Sequence, residues 1–206
     1  MTVFLNEQGC LLRKAESGES HFLLVFFLRE RGLQMALMRK RSRSSPLAHE
    51  PDLFDSGDLV IEQKGESKPA FLKEFTPKLR FTEIARQYTA LKAASQLTRF
   101  YEKNLFHMEH FEVAWDILHT ALESFSKKNQ PGVTYLKALY VFAKSEGYPV
   151  REEWLGNQSS DNRSLISAII RQPVDSIELE SGKVDQWIHN LETYFMQSTD
   201  LIVPDR

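Results

Sequence analysis

The spacing of apolar residues changes once along this chain, near Pro77, from a period of about two to a period of about 3.6. That switch confines the fold to an α+β class with strands first and helices second. Five short aromatic and aliphatic runs precede it, at 10–13, 22–28, 33–38, 59–62 and 70–75, separated by turn signals such as Arg29-Glu30-Arg31-Gly32 and Lys64-Gly65-Glu66-Ser67-Lys68-Pro69. Five strands this short fit a small barrel or a sandwich. Leu33, Met35 and Leu37 alternate with Gln34, Ala36 and Met38, which predicts a half-buried strand whose apolar face is the first set. Phe22 to Leu28 is apolar throughout and fits a buried strand or a buried helical turn; its short length and the following Gly32 favour a hairpin.

Beyond Pro77, Thr82 is the expected N-cap of a first helix, with Ile84, Tyr88, Leu91, Ser95 and Thr98 or Arg99 as its stripe, running to about Tyr101. Phe111, Ala114, Trp115, Leu118, Leu122 and Phe125 recur at spacings of three and four and predict a second. A third starts after Pro131 and stops near Gly147, a C-cap glycine followed by Pro149. A polar stretch at 156–162 offers Asp161 as the N-cap of a short helix through Leu165 to Ile170, and after a break at Pro173 a last helix carries Val184, Trp187, Ile188, Leu191 and Phe195. The expected division is therefore a strand domain over 1–80 and an all-helical domain over 81–206.

A chain of 206 residues buries a sizeable core without staples, and its single cysteine, Cys10, excludes an internal disulfide and a multi-cysteine zinc site. The start of the sequence lacks a basic segment ahead of an apolar one, and no apolar run is long enough to span a bilayer, so a soluble cytoplasmic protein is expected. Phosphate-loop, dinucleotide, nucleophile-elbow and HExxH patterns are all absent, so no enzyme is expected. His107 and His110 lie three apart, with Glu109 or Glu112 as an added oxygen ligand, but the pair lacks the further ligands of a metal site. No metal or other cofactor is expected.

The formal net charge of −2 conceals an alternation. Residues 1–49 carry 8 basic and 4 acidic side chains, 50–67 carry 1 and 6, 68–103 carry 8 and 3, and 104–206 carry 9 and 15. The strand half therefore faces a polyanion more readily than the helical half does. Its charge concentrates in Arg39-Lys40-Arg41-Ser42-Arg43-Ser44-Ser45, with no acidic residue from Arg31 to His49. In an extended backbone Arg39, Arg41 and Arg43 project on one side at steps of about 6.6 Å, a spacing that suits successive phosphates of a single strand. Arginine grips phosphate through two parallel hydrogen bonds and the serines add neutral donors. Arg13, Lys14, Arg29, Arg31, Lys73, Lys78 and Arg80 lie on or beside neighbouring strands and widen this segment into a candidate basic face. The competing reading is a solubilising loop.

The ordered series Leu11-Leu12-Arg13-Lys14-Ala15-Glu16-Ser17-Gly18-Glu19-Ser20, Phe22 to Leu28, Arg31-Gly32-Leu33, Arg39-Lys40-Arg41-Ser42-Arg43-Ser44 and Glu50-Pro51-Asp52-Leu53-Phe54 resembles the RecO family of bacterial recombination and repair mediators. Glu83 through Leu91 and the helix from Tyr135 to Gly147-Tyr148-Pro149 are similar too, so the likeness covers residues 5–149. It implies a five-stranded OB-fold barrel followed by a helical domain, with binding of single- and double-stranded DNA and strand annealing. The implied partners are RecR and the acidic tail of the single-strand-binding protein, with RecA loaded as the outcome, and the implied location is the bacterial nucleoid. The DNA-binding residues would be Arg39, Lys40, Arg41, Arg43, Arg13, Lys14, Arg31, Lys73 and Arg80. The sequence departs from the family in two places: residues 150–206 lack the four cysteines of the zinc module that many relatives carry, and the basic loop lacks a common glycine. A protein-interaction adaptor of the same fold that no longer binds DNA is the alternative.

Overall fold

The computed structural model describes residues 2–40, 49–65, 69–108, 111–127, 130–176, 179 and 181–205. It is α+β. Strands β1 (Thr2–Ser17), β2 (His21–Leu28), β3 (Gly32–Arg39), β4 (Ser56–Lys64) and β5 (Phe71–Leu79) form one sheet that returns on itself in the order β1-β2-β3-β5-β4. The length of β1 closes the ring: its N-terminal half pairs with β4 from Thr2 to Cys10, while Gly9 to Ser17 pairs with β2. The β1–β2 register shifts by one residue between Leu11 and Arg13, a bulge that bends the strand where it passes from one partner to the other. The last closure is the parallel contact of β3 with β5, where Leu37 is the partner of Phe71 and its N–H donates to the Ala70 carbonyl at 2.8 Å.

Leu11, Leu24, Phe26, Ile61, Leu72 and Phe75 fill the interior, with Phe22 packed against them. Leu24 to Leu28 are all fully buried, so β2 is covered on both faces, which is why its sequence shows no alternation. The expected orientation of β3 is reversed. Ala36 and Met38 point into the core and Met35 is 46% exposed. The second set holds the polar Gln34 but also Ala36 and Met38, so the alternation is weak and the hairpin register overrides it, setting Ala36 opposite Leu24 and Met38 opposite Phe22. Gly32 starts β3 at φ +76°, and a Cβ there would lie 2.7 Å from the Phe111 ring. Phe111 in turn meets Phe27 edge-on at 6.2 Å. Residues Leu105–Glu112 thus belong to the same compact unit as Met1–Phe81.

The second compact unit comprises Thr82–Asn104 and Val113–Arg206. Its helices are α1 (Tyr88–Asn104), α2 (Glu112–Lys127), α3 (Pro131–Ser145), α4 (Ser160–Arg171) and α5 (Ser181–Ser198). Thr82 does not cap α1; Thr82–Arg86 is a separate 3₁₀ turn. The buried face of α1 is also shifted from the expected stripe, using Ala90, Ala93, Ala94, Leu97, Phe100 and Tyr101, while Tyr88 is exposed. Small alanines allow close helix approach, and the Phe100–Tyr101 pair fixes the phase by packing on Phe142, each ring 5.1 Å from it. α5 buries the residues its periodicity predicts, and α2 buries Ala114, Trp115, Leu118, Leu122 and Phe125, whereas Phe111 precedes the helix, is half-buried and packs on the strand unit instead. α3 ends as expected in a glycine at φ +86°: the N–H groups of Gly147 and Tyr148 donate to the carbonyls of Lys144 and Ala143. A π-helical turn over Val150–Leu155 follows, burying Trp154. The N-cap of α4 is Ser159, whose hydroxyl accepts from the Asn162 N–H; Asp161 sits inside the first turn, where its charge favours the helix dipole. Among the described residues no helix is long and apolar enough to cross a membrane.

Candidate nucleic-acid interface

Because Phe22, Leu24 and Phe26 point inward, the intervening residues of β2 point outward, and so do their partners on β3. The ladder then sets His21 opposite Arg39, Leu23 opposite Leu37 and Val25 opposite Met35. The parallel β3–β5 contact adds Phe71 beside Leu37, and the rings of His21 and Phe71 meet edge-on, 6.0 Å between centroids. Three residues far apart in sequence thus gather on one patch: the first residue of β2, the last of β3 and the first of β5. Arg39 is exposed and has no carboxylate partner among the described residues. Leu37 and Phe71 are half-buried beside it, and Met35 extends the apolar strip. A π face, apolar neighbours and an unpaired guanidinium are what a stacked base and its phosphate require.

Lys40 and Lys14 frame the mouth of the ring at the same end. Their ammonium groups lie 5.3 Å and 4.8 Å from the centroid of the Phe22 ring. Lys40 also reaches Glu16 Oε1 and the Gly18 carbonyl, each at 3.3 Å, which ties the end of β3 to the β1–β2 turn. Lys14 donates to Glu50 Oε1 at 2.7 Å and to the Pro51 carbonyl at 3.3 Å. Lys73 is the extra residue at a register shift of β5 and pairs with Glu62 Oε2 at 2.8 Å, where Lys64 also approaches at 3.4 Å. The hydrogen bond from Lys73, helped by Lys64, holds the Glu62 carboxyl below the usual carboxylate range.

Arg31 and Arg80 are not part of this patch. Arg31 precedes β3, about 26 Å from Arg39 along the strand, and pairs with Glu7. Arg80 follows β5 and lies 3.7 Å from Asp55, whose carboxyl burial pushes up against the opposing hydrogen bond from Asp52 and the charge of Arg80. Arg13 is half-buried on β1 opposite Val25, and Lys78 pairs with Asp58 at 2.6 Å. Arg41 and Arg43, with the serines between and after them, lie outside the described residues. The expected broad basic face is therefore largely a set of cation–carboxylate pairs; among the described residues Arg39 and Arg29 are exposed without such a partner, and Arg29 lies in the β2–β3 turn, at the other end of the hairpin from the patch.

His21 and Phe71 carry the patch; the sequence does not single out His21, and it does not distinguish Phe71 from Phe22, Phe26, Phe27, Phe54 and Phe75 as a stacking ring. Their only local signal is that each opens a strand directly after a turn. Cys10 is fully buried, its thiol directed at the Phe54 carbonyl at 3.7 Å, and burial pushes its pKa up to about 12. It is a protonated core residue at neutral pH. Glu109 and His110 lie outside the described residues, and among those described no group of three or more His, Cys, Asp or Glu is placed to hold a metal.

Neither protein-family models nor curated proteins match this sequence.

Proposed function

We propose that this protein is a non-enzymatic DNA-binding mediator of recombination and repair, of the RecO type, whose strand domain is an OB-fold. The strand order β1-β2-β3-β5-β4 with a parallel β3–β5 contact is the connectivity expected of that barrel, whose β2–β3 face and adjoining turns bind oligonucleotides. The observation that carries the proposal is the convergence of His21, Arg39 and Phe71 on that face, between the β1–β2 turn and the β4–β5 turn. Phe71 and His21 offer base stacking and Arg39 a phosphate contact; Lys40 and Lys73 stand beside them, and Arg41 and Arg43 continue the chain from the same strand end. Annealing of two strands follows from neutralising their phosphate repulsion and requires no bond chemistry. Double-stranded DNA, RecR and the tail of the single-strand-binding protein are the partners this reading brings with it, with RecA loading as its consequence. The test is fluorescence anisotropy of a labelled oligothymidylate across a salt series: the wild type binds with a negative log–log salt slope, and Arg39→Ala with Phe71→Ala loses most of that binding.

The pairing of Lys14, Lys40, Lys73 and Arg80 with carboxylates supports a second reading, an interaction adaptor of the same fold that no longer binds DNA. An apolar groove of about 660 Å³ between α2 and α3, lined by Val113, Ile117, Ala121, Ala138 and Val141, offers such a protein a peptide site. Absence of oligothymidylate binding at low salt, with a protein partner retained, selects the adaptor.

A further inference from the structure

The helical unit is acidic overall, yet it holds one cleft of the opposite sign. Lys144 of α3, Arg151 of the π-helical turn, and Arg163 and Arg171 of α4 line a depression of about 480 Å³ together with Ser167 and Tyr140. An adjoining groove of about 460 Å³ continues over Arg163, Ser164, Ser167 and Arg171. None of the four cations has a carboxylate within ion-pair distance among the described residues. The turn also carries Glu152 and Glu153; Glu153 accepts a hydrogen bond from Tyr194 at 3.1 Å, and among the described residues neither is within ion-pair distance of the four cations. Arg163 is braced, donating to the carbonyls of Gly156 and Gln158, so its fork is held in place before any ligand arrives.

Arg163, Ser167 and Arg171 recur every four residues on α4 and so stand on one helical face, at steps of about 6 Å. That is a ladder of charged, neutral and charged donors along a line, with Lys144 and Arg151 on the facing wall. We infer that this cleft is a second nucleic-acid backbone site, in which the α4 ladder holds successive phosphates of a single strand; it rests on the DNA-binding reading above and extends it. A nucleic acid fits better than an acidic protein tail. The α4 donors recur at about the spacing of successive phosphates along a strand, and the contacts on offer are forks and hydroxyls, which suit phosphate oxygens. A protein with a strand on each unit brings two strands together, which is what annealing needs.

The experiment uses the full chain and an oligothymidylate carrying photoreactive thiothymidine. Crosslinks in peptides from 144–171 as well as from the strand unit are expected. Crosslinks confined to the strand unit overturn this inference and leave the DNA-binding reading intact, and no crosslinks at either place overturn both. The companion variant is Lys144→Gln with Arg171→Gln, two exposed side chains with no hydrogen bond among the described residues, so folding is preserved. It is expected to flatten the log–log salt slope of oligothymidylate binding by about 1.4, two phosphate contacts at about 0.7 each. An unchanged slope in this variant, or its loss of an oligoglutamate peptide with oligothymidylate binding intact, contradicts the inference.

Discussion

His21 stands directly across the β2–β3 ladder from Arg39, at the end of the sheet where β5 brings in Phe71. On the proposed DNA-binding reading the pair sets a ring for stacking beside a guanidinium for phosphate. The edge-on contact of His21 with Phe71 holds the two rings against each other.

Phe71→Ala removes the larger ring of that platform. Stacking contributes about 1 to 3 kcal/mol per base, so single-strand affinity is expected to fall about 5- to 150-fold with the salt slope unchanged. Anisotropy titrations with circular dichroism as a folding control check this. A changed slope with unchanged affinity at low salt contradicts a stacking role.

Glu62 holds Lys73 and Lys64 in competition with any phosphate. Glu62→Gln is expected to raise oligothymidylate affinity and to steepen the salt slope, by up to about 0.7 for each lysine released. Weaker binding by this variant contradicts a role for Lys73 in the interface.

The extent to which the sequence discloses all this depends on whether a signal is local. The existence of the five strands and of α2, α3 and α5 is legible because period, turn residues and caps act within a few positions. The facing of β3 is not, because the alternation points to Leu33, Met35 and Leu37, while Ala36 and Met38 are apolar enough to be buried and pairing with β2 decides in their favour. The phase of α1 is hidden for a similar reason: alanines at 90, 93 and 94 count little in a hydrophobicity pattern, yet they set the contact face. At the site, Arg39 and Lys40 are visible as charge. Phe71 and His21 are not, since the parallel β3–β5 contact that unites them joins residues 34 apart in the chain at Leu37 and Phe71. The carboxylates that occupy Lys14, Lys73 and Arg80 likewise arrive from other strands and loops.

The buried thiol of Cys10 gives a pH test. Its native pKa of about 12 lies above the ordinary value of 9.0, so between these two values the unfolded chain releases a proton that the native one keeps. The stability contribution of this group is full below pH 9.0 and falls as pH rises toward 12. Urea denaturation midpoints across alkaline pH are expected to drop more steeply for the wild type than for Cys10→Ala, and thiol reagents near neutral pH are expected to react only as fast as the protein opens.

Asn104 closes a clamp on the C-terminal segment, its amide donating to the Ile202 carbonyl at 2.9 Å and accepting from the Ile202 N–H at 2.8 Å. Asn104→Ala strips both partners from partly buried backbone groups, at a cost of about 2 kcal/mol or more. Chemical denaturation is expected to register that loss, and Asn104→Asp, which keeps only the acceptor, is expected to lie between.

The most direct measurement is the salt dependence of oligothymidylate binding by the wild type and by Arg39→Ala. One phosphate contact on a single strand corresponds to about 0.7 in the log–log slope, so the variant is expected to bind more weakly and with a slope flatter by that amount. Identical affinity and slope in the two proteins would contradict the assignment of this face to DNA.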